Sequence, residues 1–352
     1  MDNANAGRPL KTRADLALRG WHTMKKKFLT RNAIAAFGFF LLVIVLVGGV
    51  IISGTNKPKD VTLVTHNSFV MSKALVADFD KTTGYKLKLV QAGDVGALTN
   101  RLILSKDAPF ADVVFGIDNT FSTLANQNNI IEGALVPTDF GDVCFNYDKI
   151  WFVAHKIPAP TSINQLTKPQ YKGLSVVENP NLDSTGLSFL AATVGKYGSS
   201  WPNYWRALKA NGVKVDNGWQ SAYYTDFSGS SGKGAFPIVL SYATSPADEV
   251  RSNGQSQTSS ILDGCFAQSE YVGVLKNAKN PAGAKAVIKY LLSPKFQQSF
   301  PSTMYMFPIV HTTPIPAAWS KFAQIAPITY GDHLDFAANR KNWLAQWSAI
   351  FN

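Results

Sequence analysis

After residue 60, short apolar segments alternate with amphipathic ones, a pattern typical of strands and helices in turn. The predicted strands are 61–65, 86–90 and 111–117, and the predicted helices are 69–83 and the segment that follows the loop 91–96 and runs through Leu104. A further strand, 143–147, follows the polar segment 139–142. The β-α-β-α-β order predicts an α/β fold, with a largely parallel sheet, helices on both faces and polar strand ends along one edge.

The second half of the chain repeats this alternation with more prolines between the elements. It predicts strands at 173–178, 213–215 and 264–275, and helices at 187–197, 201–211, 281–292 and 339–351, with another helix beginning at 218. Asn280 and Pro281 supply an N-cap and a first-turn proline for one of them. Two tryptophan pairs at i,i+4 spacing, 201/205 and 343/347, indicate packing faces.

The segment Ile238–Val250 reads as a strand, a turn and a helix start. Ile238, Val239 and Leu240 are apolar and β-branched or large, a run of hydroxyl-bearing residues follows, and Pro246 opens the predicted helix. In open α/β sheets, ligands bind at the carboxyl ends of strands, where side chains and helix-first-turn amides converge. An ordinary βα turn with surface hydroxyls is the alternative interpretation.

The amino-terminal region carries a segment long enough to cross a membrane. Residues 33–53 contain no charged residue, and 21 residues of helix span about 31 Å, close to the hydrocarbon thickness of a bilayer. Basic residues precede this segment, so the positive-inside rule places residues 1–32 in the cytoplasm and exports everything after a linker at 54–60. A cleaved signal peptide is the alternative. No cysteine lies near the end of this segment, so a lipid-modified amino terminus is not expected.

The net charge of +11 belongs mainly to this tail, because residues 1–60 hold ten Lys or Arg against three Asp. A nucleic-acid-binding function therefore loses its main support. With 352 residues, 46% of them hydrophobic, the remainder of the chain is long enough for two packed lobes.

Enzymatic and metal-binding motifs are scarce. The five histidines are scattered, with no H-E-x-x-H sequence and no Cys/His cluster at metal-ligand spacing, and no G-x-S-x-G elbow is present. A metal site and serine hydrolysis are therefore not expected. Cys144 and Cys265 are the only cysteines, and in an oxidising compartment an even pair suggests a disulfide, with two buried free thiols as the alternative.

Polar and aromatic residues instead collect where strands end. They are Asn67, Asp94, Asp118, Asn119, Ser184, Thr185, Trp219, Tyr242, Thr244, Ser245 and Tyr305. Carboxylates beside aromatic faces suit a planar organic cation, because the ring quadrupole attracts positive charge. The Ser-Thr-Gly at 184–186 suits a hydroxyl or phosphate group at a helix start.

Five segments carry a resemblance to a known family. They are A-D-V-V-F-G-I-D-N (111–119), N-Y-D-K (146–149), G-W-Q-S-A-Y (218–223), V-L-S-Y-A-T-S-P-A (239–247) and Y-L-L-S-P-K-F-Q (290–297). From about 61 to 350 the chain resembles the thiamine-binding periplasmic proteins of bacterial ABC importers. The resemblance implies a type II two-lobed fold of two mixed sheets with a hinge of crossing strands. Lobe 1 would comprise about 61–142 and 276–312, lobe 2 about 148–263, and the remaining C-terminal helices would pack on the lobes of a 61–352 domain.

The resemblance also implies which residues bind the ligand. They are Asp94, Ser184, Thr185, Trp219, Tyr242, Ala243, Thr244, Ser245, Pro246 and Tyr305, with Asn67 and Asp118 as further candidates. Tyr305 stands where the family often has tryptophan, and His66-Asn67 stand where enteric members read Tyr-Asp. In the family, the segments that hold Cys144 and Cys265 both pass between the lobes, which places the two cysteines side by side near the hinge.

The expected function is capture of thiamine, or a phosphorylated form, and delivery to an ABC permease, without a cofactor or catalysis. One alternative is another solute on the same fold, such as a different organic cation or ferric iron held by Tyr223, Tyr224 and Tyr242. Another is an extracytoplasmic enzyme that uses Asp94 and His66 as an acid–base pair. For Trp219, the alternative to a ligand-site wall is a helix-start residue packed in the core.

Overall fold

The computed structural model describes residues 59–231 and 233–352. The predicted membrane segment 33–53 lies outside these residues. Within them, no helix is both long and apolar enough to cross a bilayer.

Nine strands form the framework of the described chain. They are β1 (Asp60–Thr65), β2 (Lys86–Gln91), β3 (Val113–Asp118), β4 (Ile131–Asp148), β5 (Ser175–Glu178), β6 (Lys214–Asp216), β7 (Ile238–Tyr242), β8 (Thr258–Leu275) and β9 (Phe307–Pro308). Hydrogen bonding places them in the order β2-β1-β3-β8-β4-β7-β5-β6, with β9 paired to β4.

Helices pack against these strands. They are α1 (Lys73–Thr83), α2 (Val95–Leu104), α3 (Ser122–Gln127), α4 (Lys149–His155), α5 (Ser184–Tyr197), α6 (Trp201–Ala210), α7 (Ser228–Ser231), α8 (Pro281–Leu291), α9 (Pro294–Gln297), α10 (Phe300–Met304), α11 (Ala317–Phe322) and α12 (Phe336–Phe351). Four short 3₁₀ segments lie at Ile163–Thr167, Pro169–Tyr171, Gly198–Ser200 and Ser245–Ala247, and a π-helical segment at Ser221–Asp226.

Two long strands join two lobes. Strands β1, β2 and β3 pair in parallel in lobe 1, and β5, β6 and β7 pair in parallel in lobe 2. Strands β4 and β8, each of 18 residues, run antiparallel to one another through both groups. The two-lobed α/β fold with crossing strands is confirmed, but hydrogen bonds link the strands into one continuous path rather than two separate sheets.

Burial and capping explain the local elements. All six residues of β3 are buried, as expected for a strand covered on both faces by helices. Ser72 caps α1 by accepting a hydrogen bond from the Leu75 amide, and Asn280 caps α8 by accepting from the Gly283 amide. Trp205 and Trp347 are buried, so both tryptophan pairs contribute to the core as predicted.

Two strands begin well before their predicted starts, β4 at Ile131 rather than at residue 143 and β8 at Thr258 rather than at residue 264. Several helices also begin at residues other than those predicted. Helix α1 begins at Lys73 rather than at residue 69, because Ser72 supplies its N-cap. Helix α5 begins at Ser184 rather than at residue 187, because Asp183 caps it. Pro246 opens only a 3₁₀ turn, and the segment that follows residue 218 forms π-helix. In each case a single polar side chain or the local turn geometry determines the first residue of the helix. The spacing of apolar residues does not indicate this residue.

The segment 139–142, which the sequence separates from the strand after it, lies inside β4. Asp139 and Asp142 are both buried, and Asp142 Oδ2 accepts a hydrogen bond from the Ala326 amide at 2.7 Å. Polar residues in this strand therefore have partners contributed by distant parts of the chain, which local patterning does not reveal.

Cys144 and Cys265 form a disulfide between the two crossing strands. Their Cα atoms are 4.6 Å apart, and both side chains are buried beside Ala243 and Ala326. The crosslink therefore lies in the part of the fold through which both lobes are connected.

Candidate ligand-binding cleft

A narrow cavity, with a water-accessible volume of about 30 Å³, lies where strand ends of the two lobes face each other. It is lined by His66, Ser68, Asp94, Val95, Asp183, Ser184, Thr185, Trp219, Tyr242, Glu270, Thr303, Met304 and Tyr305. Most of these residues follow the carboxyl ends of parallel strands, the position at which open α/β sheets bind ligands.

Trp219 forms an aromatic wall of the cavity and is held by polar contacts at both ends. Its indole Nε1 donates to Ser241 Oγ at 2.9 Å, and its backbone amide donates to Asp183 Oδ2 at 3.1 Å. One ring face stacks on Tyr223 at a centroid distance of 5.0 Å. Only 6% of the residue is exposed, so Trp219 is both a cavity wall and part of the core.

Asp94 places a carboxylate from lobe 1 against the backbone of lobe 2. A Cβ atom on Gly218 would lie 2.1 Å from Asp94 Oδ2, so a glycine at this position permits the approach. Burial, and then the neighbouring Asp183 carboxylate, raise the pKa of Asp94 to about 7. A cation in the cavity would compensate this unfavourable negative charge.

Glu270 and His66 line the cavity beside the crossing strands. Burial, followed by the charge of Asp118, raises the pKa of Glu270 to about 8. Burial lowers the pKa of His66 despite several nearby carboxylates, because the charged imidazolium is poorly solvated there. Asp139, next to Glu270 in the fold, also has a strongly raised pKa, first because of burial. The wall is therefore rich in carboxyl groups and carries no compensating permanent cation among its described lining residues.

Ser184 and Thr185 lie in the first turn of α5, at the cavity wall. The Asp183 carboxylate already accepts a hydrogen bond from the Thr185 amide at 2.8 Å, and the Thr185 hydroxyl donates to Glu178 Oε2 at 2.8 Å. Ser184 Oγ accepts from Gln268 Nε2 at 3.1 Å. A phosphate at this helix start would have to displace a carboxylate that occupies the cap.

Tyr242 and Tyr305 complete the aromatic wall around Trp219. Their ring centroids lie 6.2 and 5.5 Å from that of Trp219. The Tyr224 hydroxyl donates to the Tyr305 hydroxyl at 2.9 Å, which orients the Tyr305 ring. Six of the predicted residues therefore meet at one cavity: Asp94, Ser184, Thr185, Trp219, Tyr242 and Tyr305.

The segment that follows Tyr242 does not reach the cavity. Ala243 packs against the disulfide, and the Thr244 hydroxyl donates to the Tyr305 carbonyl. Ser245 Oγ lies 3.0 Å from Ser241 Oγ, and Pro246 is buried in the following 3₁₀ turn. Of these four residues, all predicted as ligand contacts, Thr244 and Ser245 support Tyr305, Tyr242 and the Ser241 partner of Trp219.

Asn67 and Asp118 are also absent from the cavity wall. The Asn67 carbonyl accepts a hydrogen bond from Gln220 Nε2 at 3.3 Å, a contact between the lobes. Asp118 is fully buried and accepts hydrogen bonds from the Thr120 and Phe121 amides and from Gln268 Nε2. Gln268 also donates to Ser184, which lines the cavity. Asp118 is therefore connected to the cavity wall only through Gln268.

Several lining residues were not predicted from the sequence. They are Ser68, Val95, Asp183, Glu270, Thr303, Met304 and His66, the last of which the sequence indicates only in the acid–base alternative. Asp183 is recognisable in retrospect as an N-cap before Ser184, and Thr303 and Met304 adjoin Tyr305 in the sequence. The sequence around Glu270 does not indicate a ligand contact, because only the register of β8 against β4 brings this residue to the cleft.

Backbone contacts close the cleft at Gly96. Its amide donates to the Leu182 carbonyl in lobe 2 at 3.0 Å, and a Cβ atom on Gly96 would lie 2.7 Å from the same oxygen. Gly96→Ala should therefore weaken ligand binding by roughly ten- to a hundredfold, since closure would need a backbone shift. Helix α2 itself should tolerate the change, because alanine favours helix over glycine by about 1 kcal/mol.

Calorimetric titration and a thermal melt of the same variant check this expectation. Asn100→Ala is a matched control, because it raises helix propensity at an exposed position of α2. Unchanged affinity in Gly96→Ala would show that close approach at this position is not required for binding.

Comparison with known proteins agrees with this architecture. Residues 111–321 match the model of the family described as bacterial extracellular solute-binding protein, and the chain belongs to that family. The thiamine-binding periplasmic protein of Salmonella typhimurium is 29% identical over 309 residues, which cover 81% of this chain and 91% of that protein.

Solved structures agree as well. A periplasmic thiamin binding protein shares 25% identity at a TM-score of 0.71 and covers 83% of this chain and 96% of its own. The apo ferric ion-binding protein A of Pasteurella haemolytica, at 17% identity and a TM-score of 0.65 with 83% and 98% coverage, shares the fold.

Proposed function

We propose that this protein captures thiamine between its two lobes and delivers it to the permease of an ABC importer. One observation carries the proposal: the cavity combines an aromatic wall of Trp219, Tyr242 and Tyr305 with the carboxyl groups of Asp94, Asp183 and Glu270. Thiazolium has a fixed positive charge on a planar ring, which such a wall attracts through the ring quadrupole and the carboxylates. The thiamine-binding relatives support the same ligand.

The cavity favours thiamine over its phosphates. No Lys or Arg is among the described residues that line it, and Asp183 occupies the cap at the start of α5. A phosphate would therefore face carboxylates without a compensating cation. Isothermal titration calorimetry with thiamine, thiamine monophosphate and thiamine diphosphate tests this order, and no binding of thiamine itself would refute the proposal.

The geometry gives less support to ferric iron. The Tyr223 hydroxyl donates to Glu249 Oε1 at 2.9 Å, and Tyr224 bonds Tyr305. Neither Tyr223 nor Tyr224 lines the cavity, so only Tyr242 of the three tyrosines considered as iron ligands does. Within the described residues, no group of three or more His, Cys, Asp or Glu is placed to hold a metal.

We further infer that the protein binds its ligand without altering it. His66 and Asp94 both line the cavity, but the polar contacts of the His66 ring are with the Ser68 amide, at 3.2 Å, and with Glu270, at 3.1 Å. The solute-binding family supports a transport function for the cleft. Thiamine phosphates incubated with the protein should be recovered intact by chromatography, whereas their hydrolysis would identify an enzyme.

Thiamine affinity should rise with pH, by up to about tenfold between pH 6 and 8. Asp94 and Glu270, with pKa values of about 7 and 8, lose protons across this interval, and the ionised carboxylates attract the cation. Both values lie above those of the unfolded chain, so the stability of the ligand-free protein should fall as pH rises from about 4 to 8. Calorimetry and thermal melts at each pH measure the two opposite trends.

In Asp94→Asn, thiamine affinity should change less with pH in the lower part of this pH interval, because the amide does not titrate. An affinity that falls as the pH rises would contradict the assignment of these carboxyls to the cation site.

We propose that residues 33–53 anchor the binding domain on the outer face of the cytoplasmic membrane. The uncharged segment and its basic amino-terminal flank support this arrangement. The full-length protein should stay in the membrane fraction after a high-salt wash, because salt does not screen hydrophobic insertion. Release of a form that begins after residue 50 would indicate cleavage instead.

A further inference from the structure

One surface of lobe 2 is rich in lysine and poor in acidic residues. Residues 149–177 contain four lysines and no aspartate or glutamate. Three of these lysines are exposed, and none of the three forms an ion pair within the part of the chain that the structure describes: Lys156, Lys168 and Lys172. Two carboxylates adjoin the segment, but Asp148 is buried as the N-cap of α4 and Asp263 pairs with Lys196. The surface is therefore suited to a negatively charged partner.

Helix α4 also exposes apolar side chains on this surface. Val153 is 79% exposed and Ile150 is 50% exposed, and the two residues lie one turn apart on the helix. The opposite side of α4 is already packed, because Phe152 is buried with its ring centroid 6.4 Å from that of Tyr171. The exposed pair is therefore not part of the core, and adjacent exposed apolar residues with a polar rim indicate an interaction surface.

The exposed lysines lie around this apolar pair. Lys156 is the C-cap of α4. Lys168 and Lys172 flank the turn Pro169–Tyr171, and the Tyr171 ring packs against Phe152 of α4. We refer to the five exposed side chains together as the α4 surface: Ile150, Val153, Lys156, Lys168 and Lys172.

The α4 surface lies away from the ligand cavity. Helix α4 follows the end of β4 at which Tyr147 pairs with Ile238, the first residue of β7. Tyr242, at the other end of β7, lines the cavity. A partner on the α4 surface therefore leaves the residues of the cavity free, and thiamine binding and this second contact can be measured separately.

We propose that the α4 surface binds an anionic phospholipid bilayer. Its lysines pair with lipid phosphates, and Ile150 and Val153 enter the boundary between head groups and acyl chains. A bilayer surface presents negative charge and apolar chains together, which matches an apolar pair within a rim of lysines. This inference rests on the proposed membrane anchor: the short linker 54–60 keeps the binding domain beside the bilayer, so a weak surface affinity is sufficient for contact.

Acetylation rates of single lysines in the full-length protein test the proposal. The protein is reconstituted in nanodiscs of phosphatidylcholine alone or of phosphatidylcholine and phosphatidylglycerol in equal parts. Lys156, Lys168 and Lys172 should be acetylated at least about threefold more slowly in the anionic nanodiscs, and high salt should reduce this difference because it screens the attraction. Lys285 and Lys289, exposed on α8 of lobe 1, are internal controls and should react at the same rate in both kinds of nanodisc.

The double variant Ile150→Ser/Val153→Ser removes the apolar part of the α4 surface and leaves its lysines in place. The difference in acetylation rate between the two kinds of nanodisc should then fall to about 1.5-fold or less, because the contact with the acyl boundary is lost. Ile325→Ser/Ile328→Ser is the matched control, since both residues are 60% exposed and lie outside the α4 surface. This control should keep the wild-type difference.

Calorimetric titration of the same nanodiscs with thiamine separates this inference from the proposed function. Equal acetylation rates of the three α4-surface lysines in both kinds of nanodisc, in protein that binds thiamine, overturn the lipid contact and leave thiamine capture intact; an acidic protein partner would give this result. Equal slowing of Lys285 and Lys289 would reveal a general effect of anionic lipid and also overturns the contact. Selective slowing in protein that does not bind thiamine supports the lipid contact and refutes thiamine capture.

Discussion

Trp219→Ala is expected to weaken thiamine binding by roughly a hundredfold or more and to lower the free energy of unfolding by about 3–5 kcal/mol. Binding suffers because the variant loses the indole face toward the thiazolium ring. Stability suffers because the same side chain is 94% buried, stacks on Tyr223 and bonds Ser241. The sequence presents a cleft wall and a core position as alternatives, whereas the structure assigns both to this residue.

Phenylalanine substitutions separate the two effects. Trp205 is also buried, and its indole Nε1 donates to the Thr193 hydroxyl at 2.9 Å, the same distance as that from Trp219 to Ser241. Trp205 does not line the cavity. Trp219→Phe and Trp205→Phe should therefore be destabilised by similar amounts, and only Trp219→Phe should bind thiamine more weakly.

Calorimetric titration beside urea unfolding measures both quantities. Equal affinities of the two phenylalanine variants for thiamine would remove Trp219 from the ligand site, whatever the stability of either variant.

Loss of the Cys144–Cys265 disulfide should lower the free energy of unfolding by about 4–5 kcal/mol. The crosslink spans a sequence separation of 121 residues, so it restricts the unfolded chain strongly. It also connects β4 to β8 where both strands pass between the lobes. The double variant Cys144→Ala/Cys265→Ala should unfold at a lower urea concentration than the oxidised wild-type protein.

Reduced wild-type protein is the control for this prediction. If the crosslink acts through the unfolded chain, reduction after unfolding and removal of both cysteines should give similar stabilities. A difference of less than about 1 kcal/mol between the oxidised protein and the double variant would show that the crosslink adds little beyond the packing of the hinge.

The sequence anticipated roughly half of the candidate site. Asp94, Ser184, Thr185, Trp219, Tyr242 and Tyr305 follow predicted strand ends or family motifs, and the structure brings them to one cavity. The segment 243–246 was predicted together with Tyr242, yet it turns away to support neighbouring residues. Adjacent positions at a strand end point in different directions, so a motif by itself does not state which of its side chains face the ligand.

Alternation of apolar and amphipathic segments, together with turn and cap residues, determined the α/β class and most of the strands, because these patterns are local. The character of the ligand site, aromatic and acidic, was also contained in the sequence. Only the tertiary structure decided that β4 and β8 extend through both lobes and that Glu270 lies beside His66. These features depend on pairing between residues more than one hundred positions apart, and on burial that removes water from polar groups, neither of which leaves a periodic signal along the chain.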